Sequence, residues 1–274
     1  MNSSKPRFTV NEQDLSLSYI KFGNNGPFII ALHGHGRDAE DFSFLKDQGI
    51  VISIDLFFHG QSKFPKERIE KNPLTTEEFY HLFKMILKNE GVTRYHLVAF
   101  SQGGRFALSL LPQEISNCLS IQLISPDGMD NKSFYNRMSR IRLARNLFIR
   151  WEKKPSKLIT MTGIGRNLGL VRPKVHAFVK KFAADRQSFA RASQTWRGFR
   201  NVQPNEDKIK SALRSFDVRF VIIMGKYDQV IRTKQAVTFL SRIEQSNALI
   251  ELECGHDFFN EKNILLLRNK LLIK

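Results

Sequence analysis

Cysteine is scarce: the 274-residue chain contains two, Cys118 and Cys254. They form no CxxC pair and no Cys/His spacing of the kind that zinc sites use. A disulfide framework and a structural zinc site are thereby excluded, and two free thiols in a reducing cytoplasm are expected. Long apolar runs are missing as well. No stretch approaches the roughly 18 consecutive apolar residues of a membrane span, and the first twenty residues hold no apolar signal core, so neither spanning nor secretion is expected. The chain also lacks internal repeats and low-complexity tracts.

Acidic residues are in short supply in one region only. Residues 128–215 hold 21 Lys and Arg against 5 Asp and Glu, whereas the rest of the chain holds 22 against 21. The formal net charge of +17 therefore belongs to one insert. With 42% apolar residues the chain has enough material for one elaborated globular domain.

Short β-branched and aromatic runs occur at 28–32, 50–54, 95–99, 119–124, 218–224 and 248–252. Helical patterns lie between most of them, which reads as βα units and a largely parallel sheet. Phe8 to Phe22 alternates weakly and meets the turn residues Gly23 to Gly26, so an antiparallel edge hairpin is expected to lead into Phe28. The best-defined helix follows Pro73. Thr75 and Glu78 have capping-box spacing, Phe79, Leu82, Phe83, Ile86 and Leu87 form one apolar stripe, and Gly91 ends it. The alternation stops at Pro126 and resumes near Phe216, with helical patterns and no convincing strand between, as an inserted helical cap would give.

Ser101 stands in "VAFSQGGRFALSLL", directly after an apolar strand and directly before a helix. A nucleophile elbow needs small residues two before and two after the serine, because its strained turn brings strand and helix backbones together; Ala99 and Gly103 satisfy this. A serine hydroxyl needs a base, and the base an orienting acid. Downstream, "VRFVIIMGKYDQVI" puts Asp228 just beyond a strand, and "LIELECGHDFF" puts Gly255 and His256 after the last one. Upstream, "FIIALHGHGRD" offers a glycine-rich turn after an early strand, and "IDLFFHGQS" runs from Asp55 to Ser62 as DxxxxGxS.

These five motifs, in this order, resemble the α/β hydrolase family over roughly residues 17–127 and 216–272, with AxSxG standing where the family has GxSxG. The resemblance implies a mostly parallel, doubly wound sheet of the eight-stranded type, with a helical cap between the sixth and seventh strands. The core would be 1–127 and 216–274 and the cap 128–215. It implies Ser101 as nucleophile, His256 as base, Asp228 as acid, and the backbone amides of His35 and Gln102 as an oxyanion hole, with no cofactor and no metal. Asp127 follows an earlier strand and is the alternative acid, since some members take theirs from that position. "SQGGR" also resembles the elbow of the menaquinone-pathway synthases, where Arg105 would meet a substrate carboxylate.

His81, His96 and His176 are expected to be surface or packing residues. In "NRMSRIRLARNLFIRWEKK" the apolar Met138, Ile141, Ala144, Leu147, Phe148 and Trp151 recur at helical spacing among arginines. Such a basic amphipathic helix suits an anionic small-molecule substrate or peripheral contact with an acidic membrane surface. Trp196, Phe199 and Phe182 are interleaved with further Lys and Arg, but no nucleic-acid motif accompanies them. Three readings result: a carboxylic ester hydrolase; a carbon-carbon bond hydrolase or elimination enzyme using the same triad; and an anionic lipid or partner-binding protein built on the fold. The sequence does not specify an oligomeric state.

Overall fold

The computed structural model describes residues 6–130, 134–271 and 273. In chain order it contains β1 (Arg7–Glu12), β2 (Leu15–Phe22), β3 (Phe28–Leu32), a 3-10 segment (Ala39–Leu45), β4 (Ile50–Ile54), α1 (Arg68–Lys71), α2 (Thr76–Asn89), β5 (Tyr95–Phe100), α3 (Gln102–Glu114) and β6 (Cys118–Ile124). Then follow α4 (Phe134–Arg140), α5 (Arg142–Lys153), α6 (Pro155–Asn167), α7 (Pro173–Ala184), α8 (Arg186–Gly198), α9 (Glu206–Ser215), β7 (Arg219–Gly225), α10 (Thr233–Arg242), β8 (Leu249–Leu252) and α11 (Glu261–Arg268). The eight strands form one sheet in the order β1-β2-β4-β3-β5-β6-β7-β8. β1 and β2 are antiparallel to their neighbours, and every pairing from β4 onward is parallel.

A parallel sheet flanked by helices buries both of its faces, so its strands lose polar alternation. β5 is buried at all six positions and β7 at all but Arg219. In α2 the Thr75 hydroxyl accepts the Glu78 amide at 3.1 Å while the Glu78 carboxylate accepts the Thr75 amide at 3.0 Å, and the expected apolar stripe is buried. The opening hairpin departs from expectation in one respect. Its turn lies at Gln13–Asp14, and β2 then pairs with β4 rather than with β3. Gly23 to Gly26 form a connection, because β3 is already flanked on both sides by parallel strands.

Both cysteines are buried and free. Burial, with the neighbouring Glu114 charge, pushes the Cys118 thiol up to about 12, opposed by a hydrogen bond with Tyr95. Among the described residues, no helix is long and apolar enough to cross a membrane.

The chain divides into two compact units: residues 1–65, 74–131 and 201–274, and residues 66–73 with 132–200. This differs at both edges from the interval marked out by charge. Residues 66–73 join the helical unit because Glu70 accepts from Arg145 (2.9 Å) and Arg197 (3.0 Å), while the Arg200 guanidinium donates to the carbonyls of Ile69 and Glu70. α9, although basic and helical, belongs to the sheet unit, where Ile209 and Leu213 are buried. Within the helical unit Phe148 packs on Trp151 and Trp196, with ring centroids 5.2 and 4.3 Å apart. The stripe expected from Met138 to Trp151 is not one helix. The backbone is extended at Ile141, and Arg145 reaches back to the carbonyls of Ser139 and Arg140.

Candidate active site

β5 delivers Ser101 at its C-terminal end, and α3 begins at the next residue. Ser101 has φ 48 and ψ −115, a conformation that an L-residue adopts only when its surroundings hold it there. They do so through three backbone hydrogen bonds: its amide donates to Ile124 O at 2.9 Å, and its carbonyl accepts the amides of Gly104 and Asp127 at 2.8 Å each.

The two glycines that follow have a steric reason. A Cβ on Gly103 would collide with Leu32 O and sit 2.7 Å from Leu32 C and 2.8 Å from His33 O; one on Gly104 would lie 2.6 Å from Pro126 Cα. Backbone atoms of adjacent strand ends cannot give way. Gly103→Val is therefore expected to destabilise the protein by about 3 kcal/mol, read as a lowered urea midpoint with unchanged m.

Asp228 lies in the turn after β7 and His256 in the loop after β8. Gly225 lets those two loops meet, since a Cβ there would be 2.8 Å from Cys254 O, and the Tyr227 amide donates to that carbonyl at 2.9 Å. His256 Nδ1 is 2.6 Å from Asp228 Oδ2, and His256 Nε2 is 3.1 Å from Ser101 Oγ. A carboxylate only accepts, so the imidazole proton sits on Nδ1 and Nε2 is left with its lone pair toward the serine hydroxyl. The ring packs on Phe100, centroids 5.1 Å apart.

Asp228 is fully engaged. Its Oδ1 accepts the amides of Val230 (2.7 Å) and Ile231 (2.9 Å), and its Oδ2 also accepts the Ser125 hydroxyl at 2.9 Å. Burial is the largest single influence on this carboxyl and pushes its pKa up. The hydrogen bonds from His256, the Ile231 amide and Ser125, with the charge of His256, together outweigh it and hold the group below the usual carboxylate value. Ser125 was not picked out by sequence reasoning. It stands at the end of β6 with φ 37, buried, and a serine between an apolar strand and Pro126 is its only local signal.

The glycine-rich turn after β3 comes to the same place: a Cβ on Gly34 would lie 3.2 Å from Ser101 Cβ. Two imidazoles brace this turn against the loop after β4. His33 Nε2 accepts the Leu56 amide and His59 Nε2 accepts the Gly36 amide, each at 2.9 Å. Burial lowers the His33 pKa below its ordinary value, against the pull of the Gly34 carbonyl and Asp55. His35 follows Gly34 directly, and Gln102 opens α3, where the helix dipole presents its positive end. Among the described residues, no group of three or more His, Cys, Asp or Glu is placed to hold a metal ion.

The carboxylate that meets His256 is that of Asp228, while the Asp127 carboxylate takes the Arg105 fork at 2.8 and 3.1 Å and the Gly128 amide at 2.7 Å. Arg105, 5% exposed, spends its Nε and Nη2 on Asp127 and donates from Nη1 to Val202 O at 3.4 Å. His96 meets the Ser120 hydroxyl, His176 the Thr162 hydroxyl and His81 Glu12. Asp55 binds the Ala39 amide, the Ser18 hydroxyl and Arg7, so the DxxxxGxS segment ties the early strands together.

Residues 43–263 match the family model described as the alpha/beta hydrolase fold. Over 118 residues, 42% of this chain, the sequence is 27% identical to the dihydrolipoyllysine-residue acetyltransferase component of the acetoin cleaving system of Cupriavidus necator. The matched region is 30% of that longer protein. Among solved structures, a thermophilic esterase from Thermogutta terrifontis superposes with a TM-score of 0.66 at 15% identity, covering 97% of both chains. The enol-lactonase from Burkholderia xenovorans LB400 superposes with a TM-score of 0.60 at 17% identity, covering 96% of this chain and 97% of that one.

Proposed function

Since the chain belongs to the α/β hydrolase fold family, we propose that it is a serine hydrolase that cleaves carboxylic esters through Ser101, His256 and Asp228. One observation carries the proposal: the unbroken chain Ser101 Oγ, His256 Nε2, His256 Nδ1, Asp228 Oδ2, at 3.1 and 2.6 Å, ending on a serine with φ 48.

His256 Nε2 takes the hydroxyl proton as Ser101 Oγ attacks the ester carbonyl, and Asp228 stabilises the imidazolium without itself taking the proton. The amides of His35 and Gln102 receive the oxyanion, the first held in register by the His33 and His59 braces and the second by α3. His256 then protonates the leaving alkoxide as the carbonyl re-forms. Water, deprotonated by His256, releases the acid from the acyl-enzyme and returns Ser101 to its starting state. No step calls on a cofactor or a metal.

An anionic substrate is part of the proposal. The helical unit holds 21 Lys and Arg against 4 Asp and Glu, and a field of one sign raises the local concentration of oppositely charged ligands. Two buried free thiols fit a cytoplasmic setting. The elimination and carbon-carbon cleavage reading is weakened by the commitment of Arg105 to Asp127.

A panel of aryl esters, thioesters, amides and vinylogous diketo acids, run beside labelling with a fluorophosphonate, tests the proposal. Ester turnover with labelling at Ser101 is expected. Turnover of diketo acids alone would transfer the triad to carbon-carbon chemistry, and failure to label would leave the fold as a binding scaffold.

A further inference from the structure

The helical unit carries the whole of the chain's excess charge, since the sheet unit holds 22 Lys and Arg against 22 Asp and Glu. It also carries much of the exposed aliphatic surface, including Leu143, Met161, Ile164, Leu168, Leu170 and Val175. Water and like charges both oppose such a surface standing alone, and the two features coincide at the turn between α6 and α7.

This turn is built, not loose. Gly169 takes φ +73 just past the end of α6, its amide donates to Arg166 O at 3.0 Å, and the amides of Leu170 and Val171 both donate to Gly165 O, at 2.8 and 3.0 Å. A glycine-closed helix end usually folds the next residue's apolar side chain back onto the last turn. Here Val171 does that instead, with its Cγ2 2.8 Å from where a Cβ on Gly165 would be, and Pro173 starts α7 with its φ fixed. Leu168 and Leu170 are left 67% and 80% exposed. Met161, Ile164 and Leu168 have the helical spacing of one face of α6. Exposed Arg166, Arg172 and Lys174 flank the leucines, and between Glu152 and Asp185 there is no acidic residue.

We propose that the α6–α7 turn is a membrane-docking tip for a bilayer rich in anionic phospholipid. Leu168 and Leu170 enter the interfacial region, and Arg166, Arg172 and Lys174 meet the headgroup phosphates. Charge complementarity selects this occupant. A second copy would bring the same charge, and a nucleic acid would use the cations but has no use for exposed leucines, while Phe148, Trp151 and Trp196, which could stack bases, pack on one another. The inference rests on the helical unit's charge and not on the triad.

Co-sedimentation of the full chain, carrying Ser101→Ala so that no lipid is cleaved, tests it. Vesicles of 30% phosphatidylglycerol in phosphatidylcholine are compared with pure phosphatidylcholine. Binding to the anionic vesicles alone is expected, reduced at least tenfold by Leu168→Ser with Leu170→Ser and weakened by high salt. Both leucines are exposed, so the double variant keeps its thermal midpoint, and that control separates lost docking from lost folding. No binding to anionic vesicles, binding that the double variant leaves unchanged, or a 30-nucleotide single-stranded RNA bound more tightly than the vesicles would each overturn the proposal.

Discussion

Replacing Ser101 by alanine is expected to lower kcat on p-nitrophenyl acetate by at least about 10,000-fold, to leave the urea midpoint nearly unchanged and to remove fluorophosphonate labelling. The size of the loss reflects a unit rather than a residue. Without Oγ there is no acyl-enzyme, and what remains is direct attack by water, assisted only by substrate binding and the oxyanion amides. Stability is spared because the side chain makes one hydrogen bond, to His256 Nε2, and the strain at φ 48 is held by backbone contacts to Ile124, Gly104 and Asp127 that alanine keeps. Turnover of the alanine variant at the wild-type rate would remove Ser101 from the chemistry.

Asp228→Asn is expected to lower kcat by about 10,000-fold, and Asp127→Asn to change kcat less than about threefold while costing about 1–2 kcal/mol of stability. The two aspartates have the same local setting, each just past a parallel strand, and differ in what they bind. An asparagine amide at 228 can donate to His256 Nδ1, which drives the proton to Nε2 and leaves nothing to accept from Ser101. At 127 the loss is a charge partner for Arg105, whose buried guanidinium keeps one neutral acceptor in place of the carboxylate.

The Asp228 pKa is lowered in the folded protein, so its contribution is present above the ordinary carboxylate value of about 3.9 and fades as pH falls below it. Asp228→Asn is expected to flatten that acid loss in urea midpoints measured between pH 5 and 3. An acid limb as steep as the wild-type one would mean that the carboxylate has no depressed pKa.

The sequence by itself determined what short-range rules decide. The strand runs, the Thr75–Glu78 capping box, the small residues about Ser101 and the order of the five motifs are local matters of apolar continuity, hydrogen-bond spacing and backbone clearance, and the structure agrees with them. Only the tertiary structure decided partners. It chose Asp228 over Asp127 for His256, gave Arg105 to Asp127, and brought Ser125 to a carboxylate 103 residues away. It also moved residues 66–73 into the helical unit and α9 out of it, and left Leu168 and Leu170 facing solvent. The physical reason is common to all of these. A side chain's partner depends on which strand ends and loops the sheet order places side by side, and the order β4-β3-β5-β6-β7-β8 joins segments whose residue types look alike when read along the chain.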